Sequence, residues 1–214
     1  MSNASISELK PLGPDVIQIT MEFDRKGMPF VAGQYVNLRL SDDVTRAYCI
    51  ASAQERPDAI QLCIRLGKGR GSQTLRNLKV GQSVEVDGPH GSFMVPNESK
   101  DLLFIAGDTG IAPVRSIVLH LRAERDQRAI TVLYEPAGDV VLYAADFEPM
   151  ARNGSIRYER GPMDKLLEAQ REALAASTIM AAGFEDFLGR VKGLAAKFSV
   201  PADRIFYETF GPLP

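Results

Sequence analysis

The hydrophobic pattern changes once along the chain, near residue 100, and this change constrains the fold more than any other feature. Before it, short segments alternate apolar and polar side chains, and Gly, Pro, Asn and Asp separate them. A period of two predicts half-buried β-strands. The predicted strands are residues 15–23, 33–40, 46–52, 59–66 and 83–89, with a helical turn near Leu75. Short strands at such intervals favour a small antiparallel barrel or sandwich.

After the polar segment 95–100, predicted strands alternate with helices. Residues 101–107 form an apolar run that suits a strand covered on both faces. The next apolar residues fall on one helical stripe, namely Val114, Ile117, Val118 and Leu121. Further strands are predicted at 129–135, 155–160, 177–183 and 204–210, and helices at 163–177 and 184–198. This alternation predicts a parallel α/β sheet.

Two domains follow from the change in pattern. An antiparallel β-barrel is predicted for residues 1–98 and an α/β parallel-sheet domain for residues 99–214. A chain of 214 residues is long enough for two small domains. Because parallel sheets bind ligands at the carboxyl ends of their strands, we expect a ligand near 107–110, 134–137, 160–161 and 182–184.

The composition excludes several functions. A net charge of −2 gives no electrostatic reason to expect nucleic acid or an anionic membrane as partner. Cys49 and Cys63 are too few for a four-thiolate iron–sulfur cluster, and their separation matches no zinc motif, so no metal is expected. The chain has no apolar segment of bilayer length and no secretory signal pattern at its start. These features predict a cytoplasmic protein without membrane insertion.

Four motifs appear in a fixed order along the chain. They are RAYCIAS at 46–52, GKGRGSQTL at 67–75, VGQSVEVDGPHGSF at 80–93 and GDTGIAP at 107–113. Together with the order of elements, they resemble the ferredoxin–NADP reductase superfamily from about Asp15 to Phe210. The resemblance implies a flavin-binding barrel followed by a nucleotide-binding α/β domain. It also implies FAD as cofactor and NAD(P)H as co-substrate.

The flavin motif of that family is R-x-Y-S. Its Arg pairs with the flavin phosphates, its Tyr stacks on the isoalloxazine ring, and its Ser bonds near flavin N5. Arg46 and Tyr48 match, whereas Cys49 stands at the Ser position. A thiol is a weaker donor than a hydroxyl. The resemblance therefore predicts that flavin binding survives and that Cys49, as a catalytic residue, alters hydride transfer.

The glycine-rich turn is the second flavin contact that the resemblance implies. Gly71, Ser72 and Gln73 fit the positions that hold the flavin pyrophosphate, beside the positive charges of Lys68 and Arg70. The remaining cofactor contacts expected in this half are Ala47, Ile64 and Arg65. The motif at 80–93 closes the barrel and receives no chemical role.

The nucleotide half matches the family less closely. The family has G-G-T-G-I-A-P, and the expected pyrophosphate contacts here are Gly107, Asp108, Thr109, Gly110 and Pro113. Asp108 replaces the second glycine, and its carboxylate either repels the pyrophosphate or faces away and favours the start of the helix. At the family's C-G-P-P motif this chain has Ala182, Gly183 and Phe184.

Other departures lie in the same half. Ala137 stands where the family has an arginine, and the segment before 177–183 is shorter than in the family. Arg160 and Lys165 are candidate partners of a 2′-phosphate, although such residues are often simply solvated. Near the end of the chain, Glu208 and Phe210 match a Glu and an aromatic residue that lie at the flavin in the family. The resemblance therefore predicts that both are catalytic residues and that Phe210 is also a cofactor contact.

Three functional hypotheses remain open at this point. The first is a flavoenzyme that passes electrons between NAD(P)H and a one-electron carrier: a ferredoxin, flavodoxin, cytochrome or oxygenase component. The second is a flavin-bearing electron-transfer or redox-sensing subunit with a degenerate NAD(P)H site, since the departures gather in the nucleotide half. The third is a scaffold that binds neither ligand, which the intact flavin motifs disfavour.

Overall fold

The computed structural model describes residues 2–24 and 27–213 and divides into two compact units. The first unit takes in the chain up to Met94 together with Arg115–His120. The second takes in Val95–Val114 and Leu121–Leu213. The sequence predicted a boundary after residue 98, whereas the structure changes units at Val95 and groups Arg115–His120, from the middle of a helix, with the first unit.

The first unit is built on an antiparallel sheet. Its described strands are β1 (Ser2–Gly13), β2 (Val16–Phe23), β3 (Tyr35–Ser41), β4 (Val44–Cys49), β5 (Ala59–Arg65) and β6 (Ser83–His90), and its helix is α1 (Arg70–Arg76). The strands lie in the order β4-β3-β6-β1-β2-β5. A bridge between Ile50 and Leu62 joins the chain just after β4 to β5, the strand at the other edge. The sheet thus closes on itself, as the sequence predicted.

Alternate residues of these strands form the core of the barrel. Its buried strand residues include Ile6, Ile19, Met21, Val36, Leu38, Ile60, Leu62, Ile64, Val84 and Val86. This spacing of two along each strand is the pattern from which the strands were predicted. Leu75 of α1 is buried in the same core, which holds the helix against the barrel.

Strand β1 is the element of this unit that the sequence did not predict. It runs antiparallel to both β2 and β6 and carries only two fully buried side chains, Ala4 and Ile6. The strand also contains Pro11 and register shifts against β2. A strand whose backbone pairs well while most of its side chains face outward shows little hydrophobic periodicity.

The second unit is an α/β domain with a parallel sheet. Its described strands are β7 (Leu102–Gly107), β8 (Ile130–Glu135), β9 (Arg157–Arg160), β10 (Thr178–Gly183) and β11 (Ile205–Thr209). The described helices of the remaining chain are α2 (Ile111–Ala123), α3 (Ala144–Arg152), α4 (Met163–Ala169), α5 (Arg171–Ala176) and α6 (Glu185–Lys197). The fold class predicted from the sequence is confirmed.

The order of the parallel strands creates a switch point. The order is β11-β10-β7-β8-β9, so the chain leaves β7 toward β8 and β9 and then returns to lay β10 on the other side of β7. The connections that follow β7 and β10 therefore run in opposite directions. In open parallel sheets, ligands bind at the carboxyl ends of the strands where this reversal occurs.

Helices α4, α5 and α6 cover one face of this sheet. Their apolar side chains pack with those of β7, β8, β10 and β11, including Leu103, Ile105, Leu133, Ile179 and Ile205. The single helix predicted over 163–177 is wrong in detail, because the backbone breaks at Gln170 (φ −108°, ψ 23°). No described helix has both the length and the apolar character needed to cross a bilayer.

Candidate functional site

Strand β4 presents the flavin motif at its end. Arg46 and Tyr48 are two residues apart and so project to the same side of the strand. Arg46 is exposed and donates to the Thr45 carbonyl at 2.8 Å, while Tyr48 packs partly against the barrel core. Burial raises the pKa of Tyr48 to about 12, because it disfavours the phenolate. The motif therefore offers an exposed cation beside a neutral ring.

The glycine-rich turn lies directly against this motif. Gly71 is buried, and a Cβ added there would lie 3.4 Å from Leu40 Cδ1 and 3.6 Å from Arg46 Cγ. Ser72 Oγ accepts a hydrogen bond from Gly67 N–H at 2.8 Å, so its hydroxyl proton is still a donor. Gln73 is exposed on the same short helix. The structure thus brings together Arg46 and Gly71, which sequence reasoning had joined only through the resemblance.

These residues fit an anionic flavin nucleotide. Among the described side chains, none caps the start of α1 at Gly69, so the first backbone N–H groups of that helix have no side-chain acceptor. Arg70 forms an ion pair with Asp43 at 2.8 Å, and the hydrogen bond from Arg70 lowers the pKa of that carboxyl. N–H groups without a side-chain cap, beside cationic side chains, are donors that suit a phosphate.

The other predicted flavin contacts differ in their exposure. Cys49 is buried, and Ala47 is exposed. Ile64 is a core residue with 1% of its surface exposed, so only its backbone can face a ligand. Arg65, the next residue and the end of β5, is half-buried and projects to the opposite side.

The turn after β7 needs its glycines for packing. A Cβ on Gly107 would lie 2.5 Å from Phe187 Cγ, and a Cβ on Gly110 would lie 2.1 Å from the Ala182 carbonyl oxygen. A larger residue at Gly107 would require the Phe187 ring to move, and one at Gly110 would require the backbone to move. The turn 108–110 therefore lies in close contact with the end of β10, the strand that pairs with β7 at the switch point.

The backbone conformation of Asp108 explains why the family has a glycine at this position and why an aspartate can replace it. Its φ is +50°, in the left-handed region, and its side chain is buried with 8% of the residue exposed. Asp and Asn are the non-glycine residues that adopt this region most readily. Thr109 and Pro113, the other predicted contacts of this turn, are also buried, and Pro113 occupies the first turn of α2, where it is tolerated.

The end of β10 meets the last residues of the chain. Phe210 N–H donates to the Gly183 carbonyl at 3.1 Å, and Glu185 N–H donates to the Gly211 carbonyl at 2.9 Å. The rings of Phe184 and Phe210 meet edge to face with centroids 5.6 Å apart. Phe184 and Phe210, predicted separately as site residues, are therefore neighbours.

Two further predicted residues of this region are defined by the parallel register. Ala182 of β10 lies opposite Glu208 of β11. The Ala182 side chain is fully buried, whereas Glu208 is half-buried. No thiol can be offered at the Ala182 position, in agreement with the departure seen in the sequence.

Glu135 lies at the carboxyl end of β8, in the region 134–137 where a ligand was expected, but the sequence did not single it out. It ends β8, accepts a hydrogen bond from Met163 N–H at 2.6 Å and forms an ion pair with Arg190 of α6. The hydrogen bond to Glu135 raises the pKa of Arg190. A carboxylate directly after an apolar strand was the available signal, but its partners lie far away in sequence. Arg160, a candidate partner of a 2′-phosphate, is paired with Glu148 at 2.9 Å.

Sequence comparisons identify the family. The family described as oxidoreductase FAD-binding domain matches residues 3–95. Ferredoxin–NADP reductase B of Sorangium cellulosum (strain So ce56) is 36% identical over 167 residues, which cover 73% of this chain and 67% of that protein. The reductase component DmpP of phenol 2-monooxygenase from Pseudomonas sp. (strain CF600) is 38% identical over 151 residues, covering 68% of this chain and 42% of that protein.

The chain is thus shorter than the reductases it matches, spanning less than half of DmpP. Solved structures agree with the fold over nearly its full length. The cytochrome P450 reductase GcoB of Amycolatopsis superposes with a TM-score of 0.87 at 20% identity, covering 99% of this chain and 70% of that one.

A second solved structure matches this chain over almost the full length of both proteins. The flavohem-like FAD/NAD-binding domain of nitric oxide dioxygenase from Vibrio cholerae O1 biovar El Tor has a TM-score of 0.84 at 18% identity, covering 99% of each chain. At these identities the structures establish the fold, and the sequence relatives establish the family. The chain belongs to the ferredoxin–NADP reductase superfamily of flavoprotein oxidoreductases.

Proposed function

We propose that the chain passes electrons between NAD(P)H and a one-electron carrier protein through bound FAD. The observation that carries this proposal is the packing at the switch point of the parallel sheet. Gly110 approaches the Ala182 carbonyl so closely that an added Cβ would come within 2.1 Å. This contact holds the turn after β7 close to the end of β10. A dinucleotide is expected to bind at this place in a parallel sheet.

On the flavin side, each residue has a stated task. Arg46 neutralises phosphate charge, Tyr48 offers a flat neutral ring, and the N–H groups at the start of α1 donate hydrogen bonds to the remaining phosphate oxygens. Cys49 replaces a hydroxyl with a weaker donor at the position assigned to flavin N5. When bound, FAD supplies the ability to take two electrons as a hydride and to release them singly.

On the nucleotide side, the turn 108–110 and the start of α2 receive the pyrophosphate. Backbone N–H groups at a helix start attract anions, and the Thr109 hydroxyl adds a further donor. Asp108 keeps the left-handed backbone of this turn while adding a negative charge. We expect NAD(P)H to bind here with lower affinity than at a turn with two glycines.

The acceptor that we propose is a ferredoxin or an oxygenase component. The support comes from the relatives, of which one is a ferredoxin–NADP reductase and another a reductase component of phenol 2-monooxygenase. A flavodoxin and a cytochrome are the further acceptors that an assay should include. The net charge of −2 gives no reason to include nucleic acid.

A second candidate function is favoured by the pair of Phe184 and Phe210. Phe184 stands where the family has its first proline, and its ring meets that of Phe210, which is tied to Gly183. Two aromatic rings at the end of β10 could occupy the place of a nicotinamide. The chain would then be a flavin-bearing electron-transfer subunit that a partner reduces.

An anaerobic reduction experiment separates the two candidates. The purified protein is loaded with FAD, freed of oxygen and mixed with NADH or NADPH while the flavin absorbance is followed. Prompt bleaching by either nucleotide is the result that the reductase predicts. A protein that dithionite bleaches but neither nucleotide does supports the second candidate, and a protein that takes up no FAD contradicts both.

A further inference from the structure

The two cysteines of the chain lie opposite each other on adjacent strands. Ile50 is bridged to Leu62, and Ala51 N–H donates to the Gln61 carbonyl at 2.7 Å. One step back along this antiparallel register places Cys49, the last residue of β4, opposite Cys63 of β5. Opposed Cα atoms of antiparallel strands are roughly 4.5–5.5 Å apart, within the range that a disulfide spans.

Both thiols are on the same face of the barrel wall. Their neighbours Ile50, Leu62 and Ile64 belong to the core, and successive strand side chains project to opposite faces. Cys49 and Cys63 therefore project outward. They are still covered, with 7% and 5% of their surfaces exposed. A small uncharged oxidant is suited to reach such a pair, whereas bulky thiol reagents are not.

A positive charge lies on the adjacent strand positions. The Arg115 guanidinium donates to the Ala51 carbonyl at 2.7 Å and to Gln61 Oε1 at 2.9 Å. Gln61 is two residues from Cys63 and projects to the same face. The Arg115 guanidinium is thus held at Ala51 and Gln61, two residues from each cysteine. The thiolate is the form of cysteine that reacts with peroxides.

The pair also sits at the seam of the barrel. In the described residues, β4 and β5 are the two edges of the sheet, and the bridge at Ile50 and Leu62 lies outside the named strands. A covalent link next to this bridge would join the two edges directly.

We infer that Cys49 and Cys63 are a cross-strand dithiol that hydrogen peroxide converts into an intramolecular disulfide. One thiolate attacks a peroxide oxygen, which gives a sulfenic acid and, after protonation of the leaving hydroxide, water. The second thiolate attacks the sulfenic sulfur, and the departing hydroxide is protonated to a second water. The two sulfurs together lose two electrons to one peroxide, so the step is balanced.

Reduced flavin exposed to oxygen is one source of the peroxide, and only this source rests on the proposed function. An oxidised pair would replace the Cys49 donor at the position assigned to flavin N5. The inference therefore predicts that peroxide slows reduction of the flavin by NAD(P)H and that dithiothreitol restores the rate.

The test uses added peroxide on the folded, FAD-loaded protein. Catalase removes the peroxide before the protein is denatured in excess iodoacetamide, so the products record the folded state. Trypsin and glutamyl endopeptidase then cut after Arg46, Glu55 and Arg65, which places the cysteines on separate peptides, 47–55 and 56–65. The expected product is a linked pair of these peptides from monomeric protein, lost on treatment with dithiothreitol.

Cys63→Ser is the matched variant, since it keeps Cys49 and removes its partner. The variant should give no linked peptide after the same treatment with peroxide. If the wild-type protein yields two alkylated peptides, two separately oxidised peptides or a link only in covalent dimers, the inference is wrong. Flavin absorbance of the same sample reports FAD binding independently, so a failure of the proposed function is distinguished from a failure of the cysteine pair.

Discussion

At the residue scale, Asp108 shows how one backbone angle decides which residues the turn after β7 accepts. The position has φ +50°, which explains a glycine in the family and permits an aspartate here. Its neighbours have no such freedom. Gly107 and Gly110 have ordinary backbone angles, but any Cβ would collide with Phe187 or with the Ala182 carbonyl.

The first residue-scale prediction concerns Gly110→Ala. The added Cβ would lie 2.1 Å from a backbone oxygen, so the turn and the end of β10 must separate. We expect the free energy of unfolding to fall by about 2 kcal/mol or more and NAD(P)H binding to weaken. Gly189→Ala, in α6 with open space around it, should instead gain about 0.5–1 kcal/mol. Chemical denaturation measures the free energy of unfolding of both variants. Equal changes in the two would contradict the packing argument.

The second prediction concerns the charge at the flavin phosphates. Arg46→Gln removes the cation beside Gly71, so the dissociation constant of FAD should rise by roughly tenfold to a hundredfold. Arg39→Gln is the matched control, because Arg39 of β3 is paired with Glu85 at 3.0 Å and Asp42 at 3.3 Å. Fluorescence titration of FAD measures both variants. If FAD binds more weakly to Arg39→Gln but not to Arg46→Gln, the flavin phosphates do not lie at Arg46.

The third prediction concerns Cys49→Ser, which restores the stronger donor of the family. We expect the rate of anaerobic flavin reduction by NAD(P)H to rise about fivefold, equivalent to one better hydrogen bond, while FAD affinity stays the same. Cys63→Ser changes the neighbouring strand and should leave this rate as it is. Stopped-flow absorbance gives both rates, and a slower Cys49→Ser protein would show that the thiol is not the limiting difference.

At the element scale, the connection from α2 to β8 is held by a partly buried ion pair. The Arg128 guanidinium donates to both carboxylate oxygens of Asp126, at 2.6 Å in the closest contact, and also to the Glu98 carbonyl at 3.0 Å. The hydrogen bond from Arg128 lowers the pKa of Asp126. The pair therefore fixes where β8 begins relative to the segment that precedes β7.

This pair gives a pH-dependent prediction for Asp126→Asn. Because the pKa of Asp126 in the folded protein lies below its ordinary value of 3.8, the stabilisation is fully present above that pH and is lost as the pH falls through the folded pKa. Asp126→Asn should cost about 1–2 kcal/mol of unfolding free energy at neutral pH, and progressively less as the pH falls below 3.8. Denaturation at several pH values measures the difference. A cost that stays constant into acid would show that the charge of Asp126 is not responsible.

The elements that were predicted correctly are those with a regular hydrophobic period. Strand β5, for instance, places its alternate residues Ile60, Leu62 and Ile64 in the barrel core. Strand β1 and helix α3 were missed, since β1 buries little beyond Ala4 and Ile6 and α3 contains Pro149 after a left-handed Tyr143. Their stability comes from pairing and packing with distant segments, which local patterns do not record.

The candidate site also contains some residues that motifs indicate and others whose contacts depend on distant segments of the chain. Arg46, Gly110 and Phe210 are predicted site residues because they stand in motifs that occur in a fixed order along the chain. The ion pair of Glu135 and Arg190 could not be predicted, because it joins β8 to a helix 55 residues later. The edge-to-face contact of Phe184 with Phe210 likewise depends on the parallel pairing of β10 with β11.

At the scale of the whole molecule, the chain combines an antiparallel flavin-binding barrel with a parallel α/β unit. Its family is established by its sequence relatives, and solved structures agree with its fold. The two units differ in how closely they keep the family's motifs. The barrel departs at Cys49, and the α/β unit departs at Asp108, Ala182 and Phe184. Whether the nucleotide unit still drives the flavin unit is the central claim of the proposed function.

The most direct measurement of that claim is anaerobic reduction of ferricyanide by NADH or NADPH with FAD-loaded protein. The account predicts steady turnover with either or both nucleotides, in the ratio that a two-electron donor and a one-electron acceptor require. Turnover should depend on FAD and fall strongly in Gly110→Ala. A protein that reduces ferricyanide after dithionite treatment, but not with either nucleotide, would contradict the account.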